Sequence, residues 1–164
     1  MTGFPGIGDA IQALYRERDL ELRERFDRSL PLQDAMFDRW ERAKLLGFGE
    51  GSSVYNSVVV FGDVAVGAGT WIGPYVMLDG AGGGISIGST CSISTGVHIY
   101  THDTIAWALS GGREEPRRSP VSIGDCCYIG SQSVIAAGSA IGHHCVISAN
   151  SFVNGDVPDE TVVG

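Results

Sequence analysis

Residues 121–158 read VSIGDCCYIGSQSVIAAGSAIGHHCVISANSFVNGDVP, and an aliphatic residue returns every sixth place: Ile123, Ile129, Ile135, Ile141, Ile147, Val153. The same beat runs upstream through Val54, Val60, Val66, Ile72 and Leu78, and again through Ile87, Ile93 and Ile99. Glycine follows the aliphatic at Gly67, Gly73, Gly88, Gly124, Gly130 and Gly142. Four places after the aliphatic stands a small or modest residue, among them Val58, Thr70, Cys91, Cys127, Ser133 and Cys145. A period of six suits neither a helix nor a simple alternating strand, and it points to a repeat architecture, a parallel β-helix. In such a coil three hexads close one triangular rung. The aliphatic residue points inward, the glycine lets the backbone turn, and the small residue fills a corner. Each buried aliphatic side chain contributes roughly 1.5 to 3 kcal/mol, and stability comes from stacking because no rung can bury its own face.

The beat fails twice. Leu78 to Ile87 is nine residues, one hexad plus three, and the excess coincides with Gly80-Ala81-Gly82-Gly83-Gly84; a bulged corner is expected there. From Ile99 to Ile123 is a step of twenty-four residues, four hexads by arithmetic, yet residues 104–120 break the rule with Trp107, Gly111-Gly112, Pro116 and Pro120. This segment is expected to be a loop thrown out of the coil. Long loops on rigid scaffolds are preferred places for function.

Residues 1–50 differ in composition, holding eight of the eleven Lys and Arg and ten of the nineteen acids. Ile7, Ile11, Leu14, Leu22 and Phe26 are spaced for an amphipathic helix. Ser29-Leu30-Pro31 breaks it, and a second helix is expected to carry Leu32, Met36, Phe37, Trp40, Leu45 and Leu46 to a stop at Gly47. The division is thus an N-terminal helical segment, 1–50, and a coil, 51–164, with its loop at 104–120. The N-terminal segment could be a solvated support or a cover for an acceptor pocket.

The formal charge of −8 argues against nucleic-acid binding, because phosphate recognition needs a basic stripe. After position 50 only Arg113, Arg117 and Arg118 are basic. No apolar run approaches the roughly 18 residues that span a bilayer. MTGFPGIGDA has no leader pattern, so the expected location is the cytoplasm. Cys91, Cys126, Cys127 and Cys145 show no metal spacing. Three of them occupy the small inward position, and Cys126 points outward.

HIYTHDT (98–104), the loop, and SPVSIGDCCYIG (119–130) with the hexads after it resemble the hexapeptide-repeat acyltransferases. The likeness is nearest to the maltose and galactoside O-acetyltransferase branch and covers about residues 54–163. WERAKLLGFG (40–49) is similar to surface-polysaccharide members. The resemblance implies a left-handed coil and a homotrimer with active sites between neighbouring coils. It implies transfer of an acetyl or other acyl group from acetyl-CoA to a hydroxyl or amine of a sugar or nucleotide sugar, with no metal. His102 matches the general base. Ser131, Ala149 and Asn154 match acetyl-CoA contacts, and Asp79 is the candidate for orienting acceptor or base. Trp107 could stack on a sugar ring or pin the loop. Two departures stand out: Gly155 replaces a commonly basic residue, and members usually continue past Val163 into a basic tail.

Acyl transfer to a hydroxyl needs a base, and neutral imidazole is available near neutral pH. Two other readings share the coil. A zinc enzyme of the γ-carbonic-anhydrase type would need three converging His from His98, His102, His143 and His144. A non-catalytic scaffold subunit would need no site at all.

Overall fold

In the computed structural model, residues 6–164 are described; residues 1–5, where the leader reading begins, lie outside them. Two compact units emerge, one running through Asp38 and the other spanning Arg39–Gly164.

The first unit holds α1 (Ile7–Phe26) and α2 (Leu32–Met36), with Leu22 and Ala35 buried. Arg18 Nε donates to the Ala35 carbonyl at 2.9 Å, and the Tyr15 hydroxyl donates to the Leu30 carbonyl at 2.7 Å. The second helix foreseen from the sequence is in fact two. Phe37 is extended (φ −117, ψ 140), and α3 (Arg39–Leu45) begins beyond it. The cause is a change of partner, since α2 packs on α1 whereas α3 packs on the first strand of the coil, Ser53–Val54. Arg42 donates to the carbonyls of Tyr55 and Val58, and Arg39 donates to the Tyr55 hydroxyl at 3.0 Å. The Arg39 guanidinium also lies over the rings of Trp40 and Tyr55.

The second unit is a parallel β-helix whose inward columns are those the sequence beat foresees. Val54, Ile72, Ile93, Ile129, Ile147 and Val163 stack through the first face. Val60, Leu78, Ile99, Ile135 and Val153 stack through the second. Val66, Ile87, Ile123, Ile141 and Val157 stack through the third. Every pair within these columns is parallel, as a coil that climbs one rung per circuit requires.

The turns differ from the expectation in one respect. The glycines that follow the aliphatic residues do not carry the left-handed backbone; the residue three places after the aliphatic does. That place is held by Tyr75, Thr90, Cys126, Gln132, His144, Asn150 and Glu160, with φ between 57 and 63. The first glycines are needed for clearance instead. A Cβ on Gly130 would lie 2.4 Å from the Ala149 nitrogen of the next rung, and one on Gly67 would lie 2.6 Å from the Ser89 nitrogen.

The small corner residues do more than fill space. Ser52, Thr70, Cys91, Cys127 and Cys145 stand in one column, each donating to a turn carbonyl of the next rung: Gly67, Gly88, Gly124, Gly142 and Pro158. Burial pushes the Cys91 thiol up and that of Cys127 up to about 11. Cys126 is exposed on the adjoining turn. Thiolate is the reactive form, so at pH 8 a disulfide reagent should label one thiol per folded chain rapidly, and a Cys126→Ser variant should lose that phase. Rapid labelling of two or more would contradict the packing.

Candidate active site at the corner between the second and third faces

Both long breaks in the beat fall on the same corner, as does a shorter one, the four-residue step from Val153 to Val157. Met77–Ile87 runs as a continuous strand across it, paired with Val59–Val66, and the three surplus residues appear as a register shift between Gly62 and Val64. One rung on, the 104–120 segment leaves and returns. Its base is an antiparallel pair, His102–Asp103 on Arg117–Arg118, with α4 (Ile105–Leu109) between. Ile99 stacks on Ile135 and Ile87 on Ile123, each thirty-six residues apart, so the insertion is as long as a whole rung. That is why the hexad arithmetic closes across it.

The bulge and the insertion interlock through Thr101, which is fully buried. Its hydroxyl donates to the Asp79 carbonyl at 2.7 Å and accepts the Gly82 N–H at 2.8 Å. Its carbonyl accepts the Ser119 N–H at 2.9 Å. Gly82 lies so close that a Cβ there would come within 2.7 Å of His102 Cβ. Sequence reading passed over Thr101. Its signal was a polar residue in the buried phase of the alternation Val97, Ile99, Thr101.

This interlock presents His102 to Asp79. His102 Nδ1 is 3.7 Å from Asp79 Oδ2, with side-chain exposures of 34% and 13%. Nδ1 itself is buried without a hydrogen-bond partner. The other Asp79 oxygen accepts the Ala81 N–H at 3.2 Å, which holds the carboxylate toward the ring. An approach of well under 1 Å would turn the 3.7 Å contact into a hydrogen bond.

The remaining candidates lie around this pair. Asn154 is exposed on the same corner, further along the coil, just beyond the pairing of Ile135 with Val153. Ser131 and Ala149 lie on successive rungs of the neighbouring corner, between the first and second faces, where the Asn150 N–H donates to the Ser131 carbonyl. The second face separates the two groups within one chain. Trp107, half exposed on α4, lies against Gly112. Next to it opens a groove of about 640 Å³ lined by Asp103, Ile105, Leu109, Arg113, Glu114 and Arg117.

The other histidines stand apart. His98 is on the second face, 2.9 Å from the Tyr100 hydroxyl. His143, on the corner between the third and first faces, accepts the Asp125 N–H on Nδ1. Although Asp125 Oδ2 is 3.4 Å away, an Nδ1 that accepts an N–H is unprotonated, so this contact is not an ion pair. Among the described residues, no three His, Cys, Asp or Glu gather as a metal ion would require.

Residues 120–155 match the family described as bacterial transferase hexapeptide (six repeats). That segment carries the bacterial transferase hexapeptide repeat. Hexapeptide-repeat acetyltransferase VCA0836 from Vibrio cholerae O1 biovar eltor, complexed with acetyl coenzyme A, is 28% identical with TM-score 0.63, covering 98% of this chain and 86% of that one. A maltose O-acetyltransferase from Clostridium difficile 630 is 25% identical with TM-score 0.57, covering 95% and 80%. Carnitine operon protein CaiE of Escherichia coli (strain K12) is 35% identical over 103 residues, 61% of this chain and 53% of that protein. The chain thus spans about half the length of the curated relatives it matches. The hexapeptide coil it shares with the acetyltransferases is the left-handed β-helix, which gives the hand that spacing alone does not.

Proposed function

We propose that this hexapeptide-repeat protein is an acyltransferase that moves an acetyl group from acetyl-CoA to a hydroxyl or amine of a sugar or nucleotide sugar. The observation that carries the reading is the His102–Asp79 pair at the corner where the repeat is interrupted. Asp79 faces Nδ1, which favours the tautomer with the proton on that atom and leaves Nε2 as the base for the acceptor. A base so placed contributes roughly 10² to 10⁴ in rate. Acetyl-CoA supplies the activated acyl group.

Ser131 and Ala149 leave a shelf with small side chains across two rungs, suited to a narrow pantetheine arm, and Asn154 would take a contact nearer the base. These residues are divided between two corners of one chain, which fits a homotrimer whose sites lie between neighbouring coils. The groove beside Asp103, with Trp107 next to it, is the natural place for the far end of a bulky acceptor whose reacting sugar sits at His102. The parallel with VCA0836 and the maltose enzyme supports the donor and the sugar class. Among the described residues no helix is long and apolar enough to cross a membrane. We place the reaction in the cytoplasm, on sugars destined for surface polysaccharide.

The test is release of CoA from acetyl-CoA, followed with a thiol reagent after the Cys126 background is exhausted, across sugars, amino sugars and nucleotide amino sugars. Acceptor-dependent release is expected. A rate that no acceptor raises above the blank would contradict the proposal.

A further inference from the structure

Outward positions along the second face are mostly apolar. Val59, Met77, His98, Val134 and Phe152 form one column by strand register, and His98 is its single polar member. Beyond His98 the chain alternates: Ile99 and Thr101 are fully buried, while His98, Tyr100 and His102 are only partly so. The three therefore lie on one side of the chain. His98 Nδ1 and the Tyr100 hydroxyl are 2.9 Å apart, with the rings edge-to-face at 5.8 Å. Among the described residues neither side chain has another hydrogen-bond partner, and Tyr100 is the cross-strand partner of Asp79.

The pair bonds to itself and braces no turn or loop, so the coil does not depend on it. It keeps spare capacity all the same. A hydroxyl has one donor and two acceptor sites, and a neutral imidazole bonded through Nδ1 still has Nε2 free. An aromatic face beside two hydrogen-bonding groups matches a pyranose, which offers C–H surface on one side and hydroxyls at its edge.

We infer that His98 and Tyr100 form an acceptor-binding subsite that holds hydroxyls of a sugar-like acceptor beside His102. The inference rests on the acyl-transfer reading and adds to it where the acceptor lies: on the second face, between the corner of His102 and the corner of Ser131 and Ala149. The pair is a binding element and takes no proton in the transfer.

Maltose, galactose, glucosamine and a nucleotide amino sugar are screened for CoA release, and the best of them is titrated. The proteins compared are the unaltered chain, Tyr100→Phe, His98→Ala and, as a control on the exposed third face, Ser122→Ala. Tyr100→Phe keeps the ring and removes one hydrogen-bonding group, worth about 1 kcal/mol or somewhat more. It should raise the acceptor KM about tenfold, change kcat less than about threefold, and leave the acetyl-CoA KM within about twofold. His98→Ala should move the acceptor KM in the same direction, and Ser122→Ala should change nothing. An acceptor KM unchanged in both pair variants would overturn the inference while the transfer reading stands. So would a fall in kcat with KM constant. If the unaltered protein releases no CoA with any acceptor, the transfer reading fails and takes this inference with it.

Discussion

His102→Ala should lower acceptor-dependent kcat/KM by about 10² to 10⁴, the usual contribution of a positioned general base. The melting temperature should stay within about 2 °C. Both expectations come from the same geometry. The imidazole is 34% exposed, and its Nδ1 has no hydrogen-bond partner, so little of the fold depends on it. The backbone beneath is held separately, by the Thr101 hydroxyl on the Asp79 carbonyl and by the Ser119 N–H on Thr101. Steady-state rates and a thermal melt on the same preparation check the two halves. Turnover within threefold of the unaltered protein would remove His102 from the chemistry, and a collapse of the melt would make it a structural residue.

Gly82→Ala should be nearly as damaging, by a different route. The added Cβ would lie 2.3 Å from the Thr101 carbonyl oxygen and 2.7 Å from His102 Cβ. Neither neighbour can yield cheaply, because Thr101 is tied at its hydroxyl and at its carbonyl. Gly82 lacks the positive φ of Gly83 and Gly84, so the cost is one of clearance, not of backbone conformation. Overpacking of this kind costs about 1–3 kcal/mol. A shift of about 1 Å in a catalytic group can cost 10²-fold in rate. The variant should therefore lose about 10²-fold in kcat/KM and several degrees in melting temperature. Gly8→Ala makes a fair comparison: the same methyl is added inside α1, where nothing lies within 4 Å. There the melt should hold or rise slightly, since alanine is the better helix former. Equal effects from the two substitutions would show that the Gly82 contact is not the cause.

Much of this was legible in the sequence because the coil is quasi-one-dimensional. Each inward aliphatic residue meets its equivalent one circuit away, so the period alone fixes columns such as Val54–Ile72–Ile93. What the period could not carry was anything set by contact across rungs. The glycine after each aliphatic residue reads as a turn former, yet it is excluded volume from the next rung that demands it, while left-handed φ falls to residues such as Gln132 and Asn150. Cys127 reads as a small hydrophobe, yet it also donates to the Gly142 carbonyl. The second helix reads as continuous, because 3.6-residue spacing cannot register that α2 and α3 face different partners.

At the site, the two interruptions could be found by counting, and they carry His102 and Asp79. Counting could not show that a nine-residue step and an insertion one rung long meet at one corner, with Thr101 locking them. Nor could it show His98 turned toward Tyr100, since an alternating strand gives the side of a residue but not its partner.

The measurement that tests the account most directly is a crystal structure of the protein with CoA bound. The pantetheine arm is predicted to run along the corner of Ser131 and Ala149, with its thiol within about 4 Å of a His102 Nε2 whose Nδ1 has closed to hydrogen-bond distance from Asp79. CoA bound elsewhere, with its sulfur remote from every His102 in the assembly, would contradict it.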